Sequence, residues 1–176
     1  MDLKELVSAQ RRYWNSGATR SVGFRRDMLE KLERAVVSRE RELLSALRED
    51  LGKAPYESYA CEVGMTLAEL RCAKSHLTRW AAPKGRPSPM ALFPAKSRAD
   101  PYGVALIMSP WNYPVQLTLV PLISALAAGN CAVVKPSAYA PACSAVLKAL
   151  ISDIFPREYA AVVEGGRAEN SALLEE

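Results

Sequence analysis

The stretch Val104 to Ser137, VALIMSPWNYPVQLTLVPLISALAAGNCAVVKPS, leaves few folds open. Val104 to Met108 is a short, continuous apolar run bounded by turn formers, which predicts a strand buried on both faces. Leu117 to Ala128 is too long for a strand and stops at Gly129-Asn130, a common helix C-terminal signal. Pro121 either opens the main helix or kinks it. Ala132 to Val134 gives a second buried strand. Strand, helix and strand in about thirty residues is the size of one right-handed parallel crossover. Both strands then end at the same sheet edge, where open α/β sheets bind their ligands. Ser109-Pro110-Trp111-Asn112-Tyr113-Pro114 follows the first strand and Lys135-Pro136-Ser137 the second, so the functional site is expected in these two loops.

On the N-terminal side, Leu3, Leu6, Val7 and Trp14 keep helical spacing up to Gly17. A second helix is expected from about Ser21 to Val37, with Phe24, Met28, Leu32, Ala35 and Val36 on one side. Ser38 is a candidate cap for a third, which carries Leu43, Leu44, Leu47 and Leu51 and stops at Gly52. A fourth opens near Pro55 and runs to about Trp80, with Val63, Leu67, Leu70, Leu77 and Trp80 on one stripe. Helices this amphipathic must pack on each other and on the sheet. Pro83 to Pro94 is rich in proline and small residues and reads as a linker. Lys96 to Ala99 reads as an extended segment able to pair with Val104 onward across Asp100-Pro101-Tyr102-Gly103.

Past the central stretch, Pro141 to Ile154 reads as a helix, Ala160 to Val163 as a third buried strand, and Glu169 to Glu176 as the start of another helix. The expected class is therefore α/β: an N-terminal helical layer over 1–82, a linker with extended segments over 83–103, and an incomplete doubly wound parallel sheet of Rossmann-like type over 104–176. Leu173-Leu174-Glu175-Glu176 brings no cap or stop signal, so the chain is expected to be cut within a repeating unit.

At 176 residues and 49% hydrophobic, the chain suffices for one sizeable domain or one and a half small ones. No apolar run reaches membrane-spanning length, and MDLKELVSAQRRYW is too charged for a signal peptide. Four cysteines without a C-x-x-C pair, and a single His, point to a reducing, cytoplasmic setting with no structural zinc. Residues 1–100 hold 19 of the 23 basic and 13 of the 19 acidic side chains, a net +6, while residues 101–176 carry −2. The basic half alternates in sign along its helices, as at Arg34, Arg39, Glu40, Arg41 and Glu42, which is the pattern of solvated faces. With no aromatic-interleaved basic patch, a nucleic-acid partner is not expected.

The candidate chemistry lies in few residues. An Asn amide at Asn112, between two aromatics, can donate to a developing oxyanion, or it can close a turn on its own backbone. Lys135, at the end of an apolar strand, can bind a ribose hydroxyl or phosphate, or it can be a surface lysine lying along the sheet. Cys61 and Cys72 lie three turns apart on one helix, too far for one metal or disulfide. Cys131 opens a strand and Cys143 sits on an Ala-rich helix; all four cysteines read as buried packing residues. His76, among polar positions, is expected to face solvent.

Pro101-Tyr102-Gly103-Val104, Pro110-Trp111-Asn112-Tyr113-Pro114, Ala127-Ala128-Gly129-Asn130 and Val134-Lys135-Pro136-Ser137, in that order and spacing, resemble the aldehyde dehydrogenase superfamily, most closely its class 3-like branch. The weaker Val163-Glu164-Gly165-Gly166 follows. Similarity is dense from Pro101 onward and looser over Met1 to Asp100. The resemblance implies NAD(P)-dependent oxidation of an aldehyde to a carboxylic acid, with NAD or NADP as cofactor and a homodimer as the assembly. It implies that Asn112 is the oxyanion donor and that Lys135 contacts the adenosine ribose. Ser109, Pro110 and Trp111 match positions lining the cofactor cleft (Trp111 equally suits plain packing), and Ser137 and Ala138 fall at cofactor-binding positions. Many NAD-preferring members carry Glu where this chain has Ala138. The family's catalytic Cys and general-base Glu lie beyond this sequence, so the chain alone is expected to be inactive. A region near 83–103 contributes to the family's oligomerisation sheet. Two other readings stand beside this one: a non-catalytic module keeping dimerisation and partial nucleotide surfaces, and an acyl-phosphate reductase relative.

Overall fold

The structure is a computed structural model that describes residues 2–88 and 93–176. A helical layer comes first: α1 (Leu3–Asn15), α2 (Val22–Ser38), α3 (Glu40–Leu51), α4 (Pro55–Ser58), a π-helical turn (Tyr59–Val63) and α5 (Gly64–Ala81). Asp2 caps α1 by accepting from the Glu5 amide, and Ser21 caps α2 by accepting from Phe24. Then come β1 (Lys84–Arg86), β2 (Ala95–Ser97), β3 (Val104–Met108), α6 (Gln116–Ala128), β4 (Cys131–Lys135), α7 (Pro141–Ile154), β5 (Ala160–Val162) and α8 (Arg167–Leu174).

The main sheet is parallel, in the order β3-β4-β5. Val104 opposes Cys131 and Met108 opposes Lys135, while Ala132 to Val134 oppose Ala160 to Val162. Asn130 sets that register: its Oδ1 accepts from the Gly103 amide at 2.9 Å and its Nδ2 donates to the Ala125 carbonyl at 3.2 Å. Gly129 ends α6 at φ 96°, and a Cβ there would lie 2.6 Å from the Arg25 guanidinium. Only glycine allows both the turn and that close approach.

Successive residues of β4 and β5 feed opposite faces, as the strand period requires. Ala132, Val134, Ala160 and Val162 join one large core with α2, α3, α5, α6 and α7. Val133, Ala161 and Val163 join a smaller core with Leu6 and Val7 of α1 and Leu173 of α8. The result is an α/β arrangement with helices on both faces of the sheet. Leu119, Leu122, Ile123 and Leu126 give α6 its wholly buried face, and truncating one such leucine typically costs about 2–5 kcal/mol.

Several sequence expectations are corrected. β3 is not buried on both faces: Ile107 is buried, but Leu106 and Met108 are exposed, because β3 is an edge of the sheet. The 83–94 stretch is not all linker, since Lys84–Arg86 is a strand pairing antiparallel with Ala95–Ser97. That pairing also replaces the expected partnership of 96–99 with Val104 onward; the sequence between β1 and β2 includes residues 89–92, outside those described. Ser38 does not cap α3. It is the last residue of α2, and its hydroxyl donates to the Ala35 carbonyl, while Arg39 precedes α3 with no side-chain cap. The fourth helix runs from Pro55 to Ala81 as expected but holds a π turn at Tyr59–Val63, and Trp80 leaves its stripe to stand exposed, stacked on His76. Pro121 lies inside α6 and does not open it. The last helix begins at Arg167, not Glu169.

Candidate active site

The two loops expected to carry function do meet at one sheet edge. Met108 and Lys135 are register partners, and the Ser109 amide extends the ladder by donating to the Lys135 carbonyl at 3.1 Å.

The loop after β3 is tied down along its length. The buried Ser109 hydroxyl lies 2.6 Å from the Thr118 hydroxyl, which donates to the Pro114 carbonyl. At its far end, the Val115 and Gln116 amides donate to Oε2 of Glu62, at 2.8 and 3.3 Å. These are orphan donors at the start of α6, where a carboxylate is favoured by the helix dipole as well. In the middle, Lys53 Nζ donates to the Asn112 carbonyl at 2.9 Å and sits 4.0 Å from the centre of the Tyr113 ring. Lys53 also pairs with Oε1 of Glu62 at 2.5 Å. Glu62 is fully buried, so this pair works at low dielectric.

Against that background the Asn112 side chain stands out. It is exposed, and its amide has no hydrogen-bond partner among the described residues, so the turn-closing bond to its own backbone is absent. Trp111 and Pro110 are exposed next to it, so Trp111 is not packed away.

The loop after β4 borders a cavity of about 290 Å³, lined by Ser109, Lys135, Ser137, Ala138, Gly166 and Arg167 among others. Lys135 is neither a surface lysine nor projecting freely from the edge. It is buried, and its ammonium donates to the Pro136 carbonyl at 2.7 Å. Burial lowers its pKa below the usual lysine value, and the nearby Glu169 and Glu164 act in the opposite direction. Behind the opposite wall, Glu169 reaches back to accept from the Gly166 amide at 2.6 Å; bonds from its own backbone amide and from that of Gly166 hold its pKa down. Gly165, at φ 138°, has no room for a Cβ beside that Glu169 side chain. Strand, Gly-Gly and helix N-terminus is a layout suited to anionic ligand groups.

The sequence aligns with the aldehyde dehydrogenase family model across residues 1–176. The chain belongs to the aldehyde dehydrogenase family. It is 43% identical over 164 residues, 92% of its length, to 4,4'-diaponeurosporen-aldehyde dehydrogenase of Staphylococcus aureus, and covers 36% of that protein. It is 39% identical over 177 residues to aldehyde dehydrogenase family 3 member H1 of Arabidopsis thaliana, covering 99% of this chain and 37% of that one. Human family 3 member B1 is 38% identical over 98% of the chain, which covers 37% of it. Among solved structures, Staphylococcus aureus AldH in a substrate-bound state superposes at a TM-score of 0.96 with 39% identity, over all of this chain and 39% of that one. This chain thus spans little more than a third of the length of these relatives.

In this family member the structure brings Ser109, Lys135, Ser137 and Ala138 to one cavity. Pro110, Trp111 and Asn112 sit on the neighbouring loop and do not line it. The reading of four buried cysteines is corrected: Cys131 and Cys143 are buried, Cys61 is half-buried and Cys72 is exposed on the outer face of α5. Burial pushes the Cys131 thiol up to about 12 and raises Cys143 as well, so neither is a thiolate near neutral pH. Sequence reasoning missed Lys53, Glu62, Thr118, Arg167 and Asn170. The first two are tens of residues from the loop they hold, and no local spacing signals such a contact. Gly165-Gly166 between a strand and a helix was the available signal for the second wall. No group of His, Cys, Asp and Glu among the described residues forms a metal site, and no helix there is long and apolar enough to cross a membrane.

Proposed function

We propose that this chain supplies the oxyanion donor and the adenosine end of the cofactor site for NAD(P)-dependent oxidation of an aldehyde to a carboxylic acid. The observation that carries the reading is the pairing of a pinned backbone with a free Asn112 amide on one loop and an under-bonded, buried Lys135 on the next. An ammonium has three donors, and the Lys135 ammonium spends one on Pro136. The residues around the cavity fit a dinucleotide: Lys135 and Ser137 offer donors to ribose hydroxyls, and Arg167 adds a second cation at the rim. A nicotinamide cofactor, when bound, accepts the hydride.

The chain's own residues act around that step. Asn112 Nδ2 donates to the aldehyde oxygen as it gains negative charge under thiol attack, an interaction strongest in the transition state. The pinned loop spares the backbone that carries the amide any reorganisation at that moment. Ser109 and Thr118 hold the strand end against the cavity, and Lys135 orients the ribose. The nucleophilic thiol and the base belong to regions the family places outside this sequence. A homodimer in the cytoplasm completes the proposal.

The test is nucleotide binding by the chain itself. Titration calorimetry with NAD, NADP and ADP-ribose should give saturable binding that Lys135→Met weakens about tenfold or more. Equal affinity of chain and variant would remove Lys135 from the site.

A further inference from the structure

We propose that Lys53 and Glu62 are a positioning pair whose task is to fix the backbone from which the Asn112 amide projects. The inference rests on the reading of Asn112 as oxyanion donor. Capping α6 explains Glu62 only in part, because the same fold caps α7 without a cation. There, Asp50 accepts from the Ala142 and Cys143 amides at 3.1 and 2.7 Å and has no basic partner among the described residues. At α6 a lysine has been added, and it is largely buried as well. Burying an ion pair is rarely a net gain over apolar packing, so its directional bonds need another purpose.

Those bonds converge on one peptide. Lys53 Nζ holds the Asn112 carbonyl at 2.9 Å and the face of the next residue's ring at 4.0 Å, while Glu62 holds Lys53 from behind and Val115 in front. The peptide after Asn112 therefore cannot rotate without breaking a charge-assisted bond from a lysine that is itself held by a buried carboxylate. Only the two side-chain torsions of Asn112 remain free. Misplacing a catalytic group by about 1 Å can cost roughly 100-fold in rate, which is the scale of what such a clamp protects.

The experiment compares Lys53→Met, Lys53→Gln, Asn112→Ala and the Lys53→Met/Asn112→Ala double variant in the full-length enzyme carrying this segment. In parallel, the relaxation of the Asn112 side-chain amide is followed by NMR in the 176-residue chain. Lys53→Met should lower kcat about 10- to 100-fold with the aldehyde KM nearly unchanged, and should mobilise the amide. Lys53→Gln, which can still donate to the carbonyl, should recover part of the loss. In the double variant the losses should not add, because Lys53 acts through Asn112. Should Lys53→Met fail to fold, Lys53→Met/Glu62→Gln leaves no unpaired buried charge and carries the same expectation. A normal kcat in Lys53→Met beside an impaired Asn112→Ala overturns the positioning role alone, as do fully additive losses. A normal kcat in Asn112→Ala overturns the oxyanion reading and the positioning role with it.

Discussion

The two loops at the sheet edge are anchored in different ways. The loop after β3 is held by Lys53 and Glu62, which come from the helical layer and lie 59 and 53 residues away from their partners Asn112 and Val115. The loop after β4 is held mostly by itself: Lys135 bonds the next carbonyl, the Tyr139 amide bonds the Ser137 hydroxyl at 3.2 Å, and the Ala140 amide bonds the Ser137 carbonyl at 3.3 Å. The first design fixes one geometry and spreads its control across the fold. The second leaves selectivity to whichever side chains the loop itself carries. On this view the first loop serves a step that tolerates little displacement, and the second serves binding.

The largest effect should come from removing the group that the first loop presents. Asn112→Ala in the full-length enzyme is expected to lower kcat about 100- to 1,000-fold, the usual loss for one oxyanion donor. Single-turnover acylation rates measure it, and an unaltered rate would make Asn112 a mere surface residue. On the second loop, Ala138→Glu should change selectivity and not the chemical step. A carboxylate at the exposed Ala138, which lines the same cavity as Lys135 and Arg167, would accept from ribose hydroxyls and repel a 2′-phosphate. The NADP-to-NAD ratio of kcat/KM should fall by roughly ten- to a hundredfold, the worth of one hydrogen bond to a charged group. If kcat moves and the ratio does not, the division of labour between the loops is wrong.

How much of this was legible in the sequence depends on range. The crossover from β3 through α6 to β4 could be read directly, because apolar runs and Gly129-Asn130 are local signals. The positions of Asn112 and Lys135 at one edge followed from it. The burial of Lys135 did not, because a lysine after an apolar strand suits a surface equally well until α8 and Gly165-Gly166 are placed beside it. Glu62 was illegible for the same reason: next to Val63 on an amphipathic helix, a Glu reads as solvated. The short β1–β2 ribbon was hidden by the prolines around it, and the half-exposed β3 by the assumption that an apolar strand has neighbours on both sides.

Two smaller effects sharpen the contrast. Asp50→Ala removes the cap of α7 and should destabilise the chain by about 1 kcal/mol, within a usual range of 0.5–2. Urea unfolding would measure this, and the relaxation of the Asn112 amide should stay as it was. A mobilised Asn112 would mean that the two caps are not independent. The last effect is a pH dependence confined to the second loop. Because burial holds the Lys135 pKa below its ordinary 10.5, the unfolded chain binds the extra proton in the window between the two values. Stability contributed by this group therefore rises as the pH climbs through that window towards 10.5. Comparing urea midpoints with Lys135→Met, which lacks the group, should show the slope in the parent chain only.

The π turn from Tyr59 to Val63 makes the length of this segment as much a constraint as its composition. The Gly64 amide bonds back to the Tyr59 carbonyl, five residues behind, so the helix holds one residue more per turn there than an α-helix would. Deleting a single residue such as the exposed Ala60 would satisfy every helical hydrogen bond and keep every buried apolar side chain. It would also turn everything before it by roughly 100° relative to α5, the step of one α-helical residue. Lys53, at the far side of that turn, would then no longer face Glu62. Insertions and deletions that leave hydrophobic pattern and helix propensity intact should thus still disturb the loop after β3 when they fall here.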